Sequence, residues 1–226
     1  MNILNDQTLE EAGLVLQGVL PTARVDLPVE ANGFSQLLVF AHGGRRFWEY
    51  ARSLVSEPDP EDDLLDHCAM TLAQDFMSRI DEHDYRILYP VDHMGIDLIG
   101  IGRELGWHHP SPMGIGIMPK WGTWFAYRVV IAANTQFEPT SHQVESPCET
   151  CSDRPCINAC PAGAVSSASS FNLESCATYR MESGAACASQ CLSRQRCPVA
   201  SEHQYGETQI RYHYDRSLAA LISYTA

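Results

Sequence analysis

The sequence predicts an α+β chain: a layered domain of sheet and helices, then a small cysteine-rich module, then a C-terminal helix. Three observations predict it. Helical and strand periodicities alternate through the first 140 residues. Beyond Thr140 that periodicity disappears, and Cys, Ser, Ala, Gly and Pro dominate as far as Pro198. Helical spacing returns at the end of the chain. The expected division is residues 1–140 as a cofactor or substrate domain, 141–200 as the cysteine module, and 201–226 as a helix that docks back on the main domain.

Residues 6–20 are expected to form the first helix. Asp6 or Thr8 can cap it, Leu9, Ala12, Leu16 and Leu20 recur at helical spacing, and Pro21 ends it. Ser35 to Ala41 is a short apolar run between Gly33 and Gly43-Gly44, which suits a buried strand. The acidic, proline-interrupted stretch from Pro58 to Asp63 precedes a helix whose core face is Leu65, Cys68, Leu72, Phe76 and Ile80, so Cys68 reads as structural. Next come a strand over Arg86–Val91, a helix over Ile96–Leu105, a strand over Met113–Met118 and a strand over Trp124–Ala133. The final helix spans Gln209–Tyr224, with Ile210, Leu218, Leu221 and Ile222 on one face.

Composition narrows the function. No apolar run approaches the roughly 20 residues of a membrane helix, so no membrane partner is expected. The first residues show no basic stretch leading into an apolar one, which reads as cytoplasmic. A net charge of −13 with a single lysine, Lys120, is a poor footprint for a phosphate backbone, so no nucleic-acid partner is expected.

Eight of the nine cysteines fall between Cys148 and Cys197. In a reducing cytoplasm such a pattern points to metal rather than disulfides. The first group reads Cys148-x2-Cys151-x4-Cys156-x3-Cys160-Pro161, close to the bacterial ferredoxin run, with a middle gap two residues longer. Cys176, Cys187-x3-Cys191 and Cys197-Pro198 supply four more thiols. Eight thiols match two 4Fe-4S clusters. By the exchange of the fourth ligand that two-cluster ferredoxins use, Cys148, Cys151, Cys156 and Cys197 are expected on one cluster, and Cys160, Cys176, Cys187 and Cys191 on the other. The competing readings are structural zinc, which favours two cysteine pairs set further apart, and disulfides. Between Ser146 and Val199 four acids (Glu149, Asp153, Glu174, Glu182) balance four arginines (Arg154, Arg180, Arg194, Arg196), and these arginines can offset anionic clusters.

On those residues the module resembles the two-cluster, ferredoxin-like segment of epoxyqueuosine reductases and reductive dehalogenases, including the Cys176-Ala-Thr-Tyr stretch between its halves. Leu105-Gly106-Trp107, Ser111-Pro112-Met113-Gly114-Ile115 and Pro119-Lys120-Trp121-Gly122-Thr123-Trp124 are similar to the glycine-rich strand region of the same reductases. Their first domain resembles the cblC-type cobalamin-processing protein and, more distantly, the flavin nitroreductases. The resemblance spans about residues 35–200 and implies a nitroreductase-like layered domain. It also implies an oxidoreductase that receives electrons through its clusters and passes them to cobalamin held on the sheet, with flavin as the alternative. A redox partner protein would deliver the electrons, and a small-molecule substrate or the corrinoid would accept them.

A corrinoid or flavin needs a broad apolar slot near the clusters, and the segment Trp107 to Arg128 is the expected wall. Gly114, Gly116 and Gly122 would let a flat macrocycle approach the backbone, although strand glycines also mark plain bends. Trp107, Trp121 and Trp124 could stack on it, although tryptophans are commonly core; Tyr127 and Arg128 complete the set. Asp92, after the strand ending at Val91, is the expected proton donor, against the plainer reading of a surface loop residue. His108-His109 reads as loop, and His42-Gly43-Gly44-Arg45-Arg46 as a structural turn rather than an anion grip. Two other functions compete: a non-catalytic ferredoxin-like electron carrier, and a zinc-stabilised interaction protein.

Overall fold

In chain order the elements are α1 (Gln7–Ala12), β1 (Leu16–Pro21), β2 (Gln36–Gly43), α2 (Arg46–Ser53), α3 (Leu64–Arg79), β3 (Tyr85–Tyr89), α4 (Leu98–Glu104), β4 (His109–Pro110), β5 (Gly116–Ile117), β6 (Phe125–Ala133), α5 (Pro155–Asn158), α6 (Leu173–Met181), α7 (Leu192–Gln195) and α8 (Glu207–Thr225). They come from a computed structural model that describes residues 4–56, 63–80, 84–91, 95–140 and 144–225. The chain divides into two compact units. The first comprises residues 1–108 and 125–143, and the second comprises 109–124 and 144–226. The segment 109–124 therefore belongs with the cysteines, and α8 is part of the cysteine unit.

The first unit is built on a four-stranded antiparallel sheet of order β1-β2-β6-β3. Every residue of β2 is buried, which explains its unbroken apolar run. On one face Phe40 meets Phe76 of α3 edge to face, with ring centroids 5.5 Å apart. On the other face, β1 approaches the chain after α4 so closely that a Cβ on Gly18 would stand 2.8 Å from Leu105 and 2.9 Å from Trp107. Helices therefore cover both faces of an antiparallel sheet, in keeping with the α+β expectation. The buried face of α3 carries Leu65, Cys68, Leu72 and Phe76 as expected; Ile80 is its C-cap and lies half-buried.

The expected first helix over 6–20 is cut short. Asp6 caps α1 by accepting from the Leu9 N–H at 2.9 Å, but Gly13 ends it in the left-handed conformation at φ 101°. A Cβ on Gly13 would collide with the Phe47 backbone, so glycine is required there. Leu16 to Pro21 then pairs with β2 as a strand. Leu16 and Leu20 fit helical spacing, but strand alternation and an available sheet edge decide their state.

The sheet carries a bulge where Phe40 faces Val129 and Ala41 faces Tyr127, which leaves Arg128 as the extra residue of β6. Arg86–Val91 appears as β3, shifted to Tyr85–Tyr89. The strand expected over Met113–Met118 contracts to β5, which pairs with β4 in a two-residue ladder of the second unit and takes no place in the main sheet. Two of its six residues are glycines, and prolines stand just outside it at Pro112 and Pro119, which shortens the ladder it can form.

The second unit has a thin core. Beyond residue 143 its buried hydrophobic residues are Cys156, Ala164, Val165, Cys187, Cys197, Tyr205 and Ile210, so three of these seven are cysteines. Met113, Ile117, Cys156, Val165 and Cys197 pack as one group, and Trp124, Tyr205 and Ile210 as another.

Candidate metal centre

Cys148, Cys151, Cys156 and Cys197 line one narrow cavity of about 20 Å³, walled by Met113, Ile117, Pro155, Val199 and Arg154 among others. The chain converges there because the loop after Ser146, the first turn of α5 and the Cys197-Pro198 turn meet on one apolar group. Burial, and then repulsion from Cys197, Cys156 and Cys151, push the Cys148 thiol up to about 11, with Arg154 pulling the other way. Burial also raises Cys156 and Cys197, each with Cys151 adding to it.

The remaining four thiols form a second set. Burial raises Cys176; Arg180 opposes this, and Cys191, Cys160 and Cys187 add to it. Cys187 is raised mainly by burial, with Cys191 and Cys160 contributing and Arg180 opposing. α5 separates Cys156 from Cys160 by about one helical turn, so one goes to each set. Four of the eight cysteines thus line one cavity, and the other four lie near enough to influence one another.

All nine cysteines are free thiols. Among the described residues no group of three or more His, Cys, Asp or Glu side chains is placed to hold a metal ion, although the thiols of each set feel one another's charge. The two findings agree if the guest is larger than one ion. Thiolates on one zinc, at Zn–S of about 2.3 Å, must crowd round a single point, whereas a four-iron cluster puts its own iron and sulphide body between them. An all-thiol donor set with apolar walls and arginines nearby fits such a cluster. Cys68 stands apart on α3, its thiol pushed up to about 11 by burial, as a structural residue should be.

Two arginines attend the second set. Arg180, one helical turn beyond Cys176 on α6, is only 7% exposed. Its guanidinium donates to the carbonyls of Cys187 (3.2 Å), Ala188 (3.1 Å) and Tyr214 (2.8 Å) and to Ser217 Oγ (3.1 Å). Arg194 donates its backbone N–H to Cys191 Sγ at 3.4 Å. Its side chain donates to the Thr123 carbonyl and lies over the rings of Trp124 and Tyr205, at 4.5 and 4.9 Å. Sequence reasoning named these arginines only as counter-charge. The spacing of Cys176 and Arg180 is a local signal that they share a helix face, but their burial has none.

The residues expected to wall a cofactor are divided between the units. In the first, Trp107 is enclosed at 2% exposure and stacks on Tyr127 with rings 6.4 Å apart. Burial raises the Tyr127 hydroxyl well above its ordinary value. Arg128, the bulged residue of β6, is committed to an ion pair with Asp66 (3.0 Å) and a hydrogen bond to His42 Nδ1 (3.0 Å). That network joins residues far apart in sequence and had no local signature. His42 is wholly buried and stacks on Phe47, and the turn after it leads into α2, as a structural turn should.

In the second unit, the glycines expected to admit a macrocycle admit protein. A Cβ on Gly114 would stand 2.9 Å from the Phe171 ring, and one on Gly122 would strike the Val199 carbonyl. Gly116 pairs with Pro110 in the small ladder. Trp121 packs on His203, with ring centroids 4.3 Å apart, and Trp124 on Tyr205 at 5.2 Å. His109 enters β4. Asp92 lies outside the described residues.

An antiparallel α+β unit with a unit carrying two sets of four thiols defines the class: a mixed-fold, cysteine-cluster protein. The sequence matches no protein-family model and no curated protein. Solved structures share its fold. The epoxyqueuosine reductase from Streptococcus thermophilus aligns over 86% of this chain at 12% identity with a TM-score of 0.54. A selenomethionine-labelled epoxyqueuosine reductase aligns over 88% at 13% identity and 0.59. An epoxyqueuosine reductase solved with an epoxyqueuosine-modified tRNA-Tyr stem loop aligns over 91% at 13% identity and 0.58. The chain spans 64%, 65% and 67% of the length of these three proteins. The third holds a nucleic acid, contrary to what the acidic composition of this chain leads one to expect. Among the described residues no helix is long and apolar enough to cross a membrane.

Proposed function

We propose that this chain is an iron–sulphur oxidoreductase in which Cys148, Cys151, Cys156 and Cys197 hold one four-iron cluster, and Cys160, Cys176, Cys187 and Cys191 hold a second. The observation that carries the reading is the sorting of eight thiols into two sets of four within one thinly cored unit. Bound there, such clusters supply one-electron transfer. The chain's own residues prepare for that. Met113, Ile117 and Val199 keep water from the first set, which bears on potential. The raised thiols must lose their protons to ligate, so loading releases protons and strengthens as pH rises. With few apolar residues to bury, the second unit draws part of its folding energy from what its thiols bind.

The shared fold and the cblC-type resemblance support a reductase that passes these electrons to a corrinoid or, as the alternative, a flavin. Asp92 is retained as its proton donor. Of the three tryptophans in the expected wall, Trp121 and Trp124 lie in the same unit as the thiols. The test is anaerobic purification with iron and acid-labile sulphide analysis, beside an electron paramagnetic resonance spectrum of the dithionite-reduced protein. About eight of each per chain are expected from two four-iron clusters; zinc without sulphide would sink the proposal in favour of an interaction protein. Cobalamin and flavin titrations then separate a reductase from a plain electron carrier, which should bind neither.

A modified tRNA is the second reading for the substrate, favoured by the neighbour solved with a tRNA stem loop and opposed by the net charge of −13. Titrating the holoprotein with a tRNA stem loop at low salt tests it. Saturable binding that weakens with salt supports it, and no binding leaves the small-molecule reading.

A further inference from the structure

The two sets of thiols differ in what surrounds them. Around the second set stand two guanidinium groups whose partners are all neutral. Arg180 is spent on three carbonyls and a hydroxyl, and Arg194 on a carbonyl and two aromatic faces. Neither charge is cancelled by a carboxylate among the described residues. Arg180 is held against the set by its own helix, since Cys176 and Arg180 stand four apart on α6, and by its bond to the Cys187 carbonyl. Arg194 follows Cys191 by three residues, and its amide bonds the sulphur directly. Tyr214 adds its hydroxyl beside Cys191 and Arg194. The first set has one comparable cation, the half-exposed Arg154.

A cluster becomes more negative by one charge when it is reduced. Fixed positive charge and N–H or O–H donors near its sulphurs favour that reduced form, and they act more strongly where solvent is excluded. Resting on the two-cluster reading above, we propose that Arg180, Arg194 and Tyr214 are positioning residues that make the couple held by Cys160, Cys176, Cys187 and Cys191 the more easily reduced of the two. An electron from a one-electron reductant then resides at the second set first, and the reductant is oxidised by one electron with no proton required.

The test is a potentiometric titration of the anaerobic holoprotein with dithionite, followed by electron paramagnetic resonance. Iron and sulphide are measured on every sample, so that loss of cluster, which would count against the two-cluster reading, is distinct from a shift of potential. Cys191→Ser identifies the second set's signal by perturbing it alone. Arg180→Gln and Arg194→Gln are each expected to lower the more positive couple by at least tenfold in the ratio of reduced to oxidised protein at fixed poise, about 59 mV for a one-electron couple. Arg154→Gln should move only the other couple. Tyr214→Phe removes one oxygen and covers the case in which an arginine variant loses its fold; it should shift the same couple in the same direction. The inference is overturned if Cys191→Ser perturbs the more negative couple. It is equally overturned if the fully loaded variants that fold move both couples together or neither.

Discussion

Arg128 was expected on the wall of a cofactor site, and the structure gives it a different task that can be measured. Its guanidinium sits at the bulge of β6 and joins Asp66 on α3 to His42 on β2, at 3.0 Å each. The pair's side chains are 10% and 21% exposed, nearer to the buried limit than to the surface one. Removing one partner of a buried pair costs about 3–5 kcal/mol, while an exposed pair is worth about 0–1 kcal/mol. Asp66 keeps some solvent, so Arg128→Met should destabilise the first unit by about 2–4 kcal/mol. At about 2–4 °C per kcal/mol for a chain of this size, the melting temperature should fall by about 4–16 °C. Urea denaturation followed by tryptophan fluorescence measures the loss. A double-mutant cycle with Asp66→Asn should show a coupling above about 1 kcal/mol, because the two side chains touch. If Arg128→Met left stability within about 0.5 kcal/mol of the parent yet abolished corrinoid or flavin binding, the structural account would be wrong and the cofactor account right.

Three further outcomes follow from single residues. Gly122→Ala should cost about 2–4 kcal/mol, since the left-handed backbone at φ 56° and the Val199 carbonyl both oppose a Cβ; Gly33→Ala, at φ 90° with open space, should cost only the backbone part, about 1–2 kcal/mol, and denaturation midpoints compare them. Asp6→Ala should lose about 0.5–2 kcal/mol with the α1 cap. Although burial works against it, the Arg79 guanidinium and the Leu9 amide hold the Asp6 carboxyl below its ordinary value. Its contribution is therefore full above the unfolded value, near pH 4, and is lost as pH falls through the lower folded value, so parent and variant stabilities should converge in acid. Cys68, buried and raised to about 11, should resist alkylation at neutral pH in the native protein, and Cys68→Ala should keep the full iron content; loss of iron in that variant would make Cys68 a ligand.

Much of the candidate site was legible because its chemistry is local. Cys148, Cys151, Cys156 and Cys160-Pro161 lie close in sequence, so their spacing can be read whatever the rest of the chain does. The strands at β2 and β6 were legible because each contains a continuous apolar stretch, Leu37–Ala41 and Val129–Ala133, and α3 because its apolar residues keep one face. The first helix misled because Leu9, Ala12, Leu16 and Leu20 satisfy a helical period across Gly13, and only the close approach of Phe47 shows that the helix must stop there. Met113 to Met118 misled because strand-forming residues need a partner, and only a two-residue ladder is offered.

By itself, then, the sequence determined the residue types and spacings: which thiols could share a cluster, which segments could be buried, and that the chain carries excess negative charge. Tertiary structure alone decided which distant groups meet. It placed Arg128 between His42 and Asp66, set Phe171 against Gly114 and Val199 against Gly122, and left two arginines beside one set of thiols with no carboxylate among the described residues to cancel them. The physical reason is one of range. Propensity, capping and ligand spacing act over a few residues, whereas burial, close approach and the pairing of charges depend on atoms that the chain brings together only when it folds.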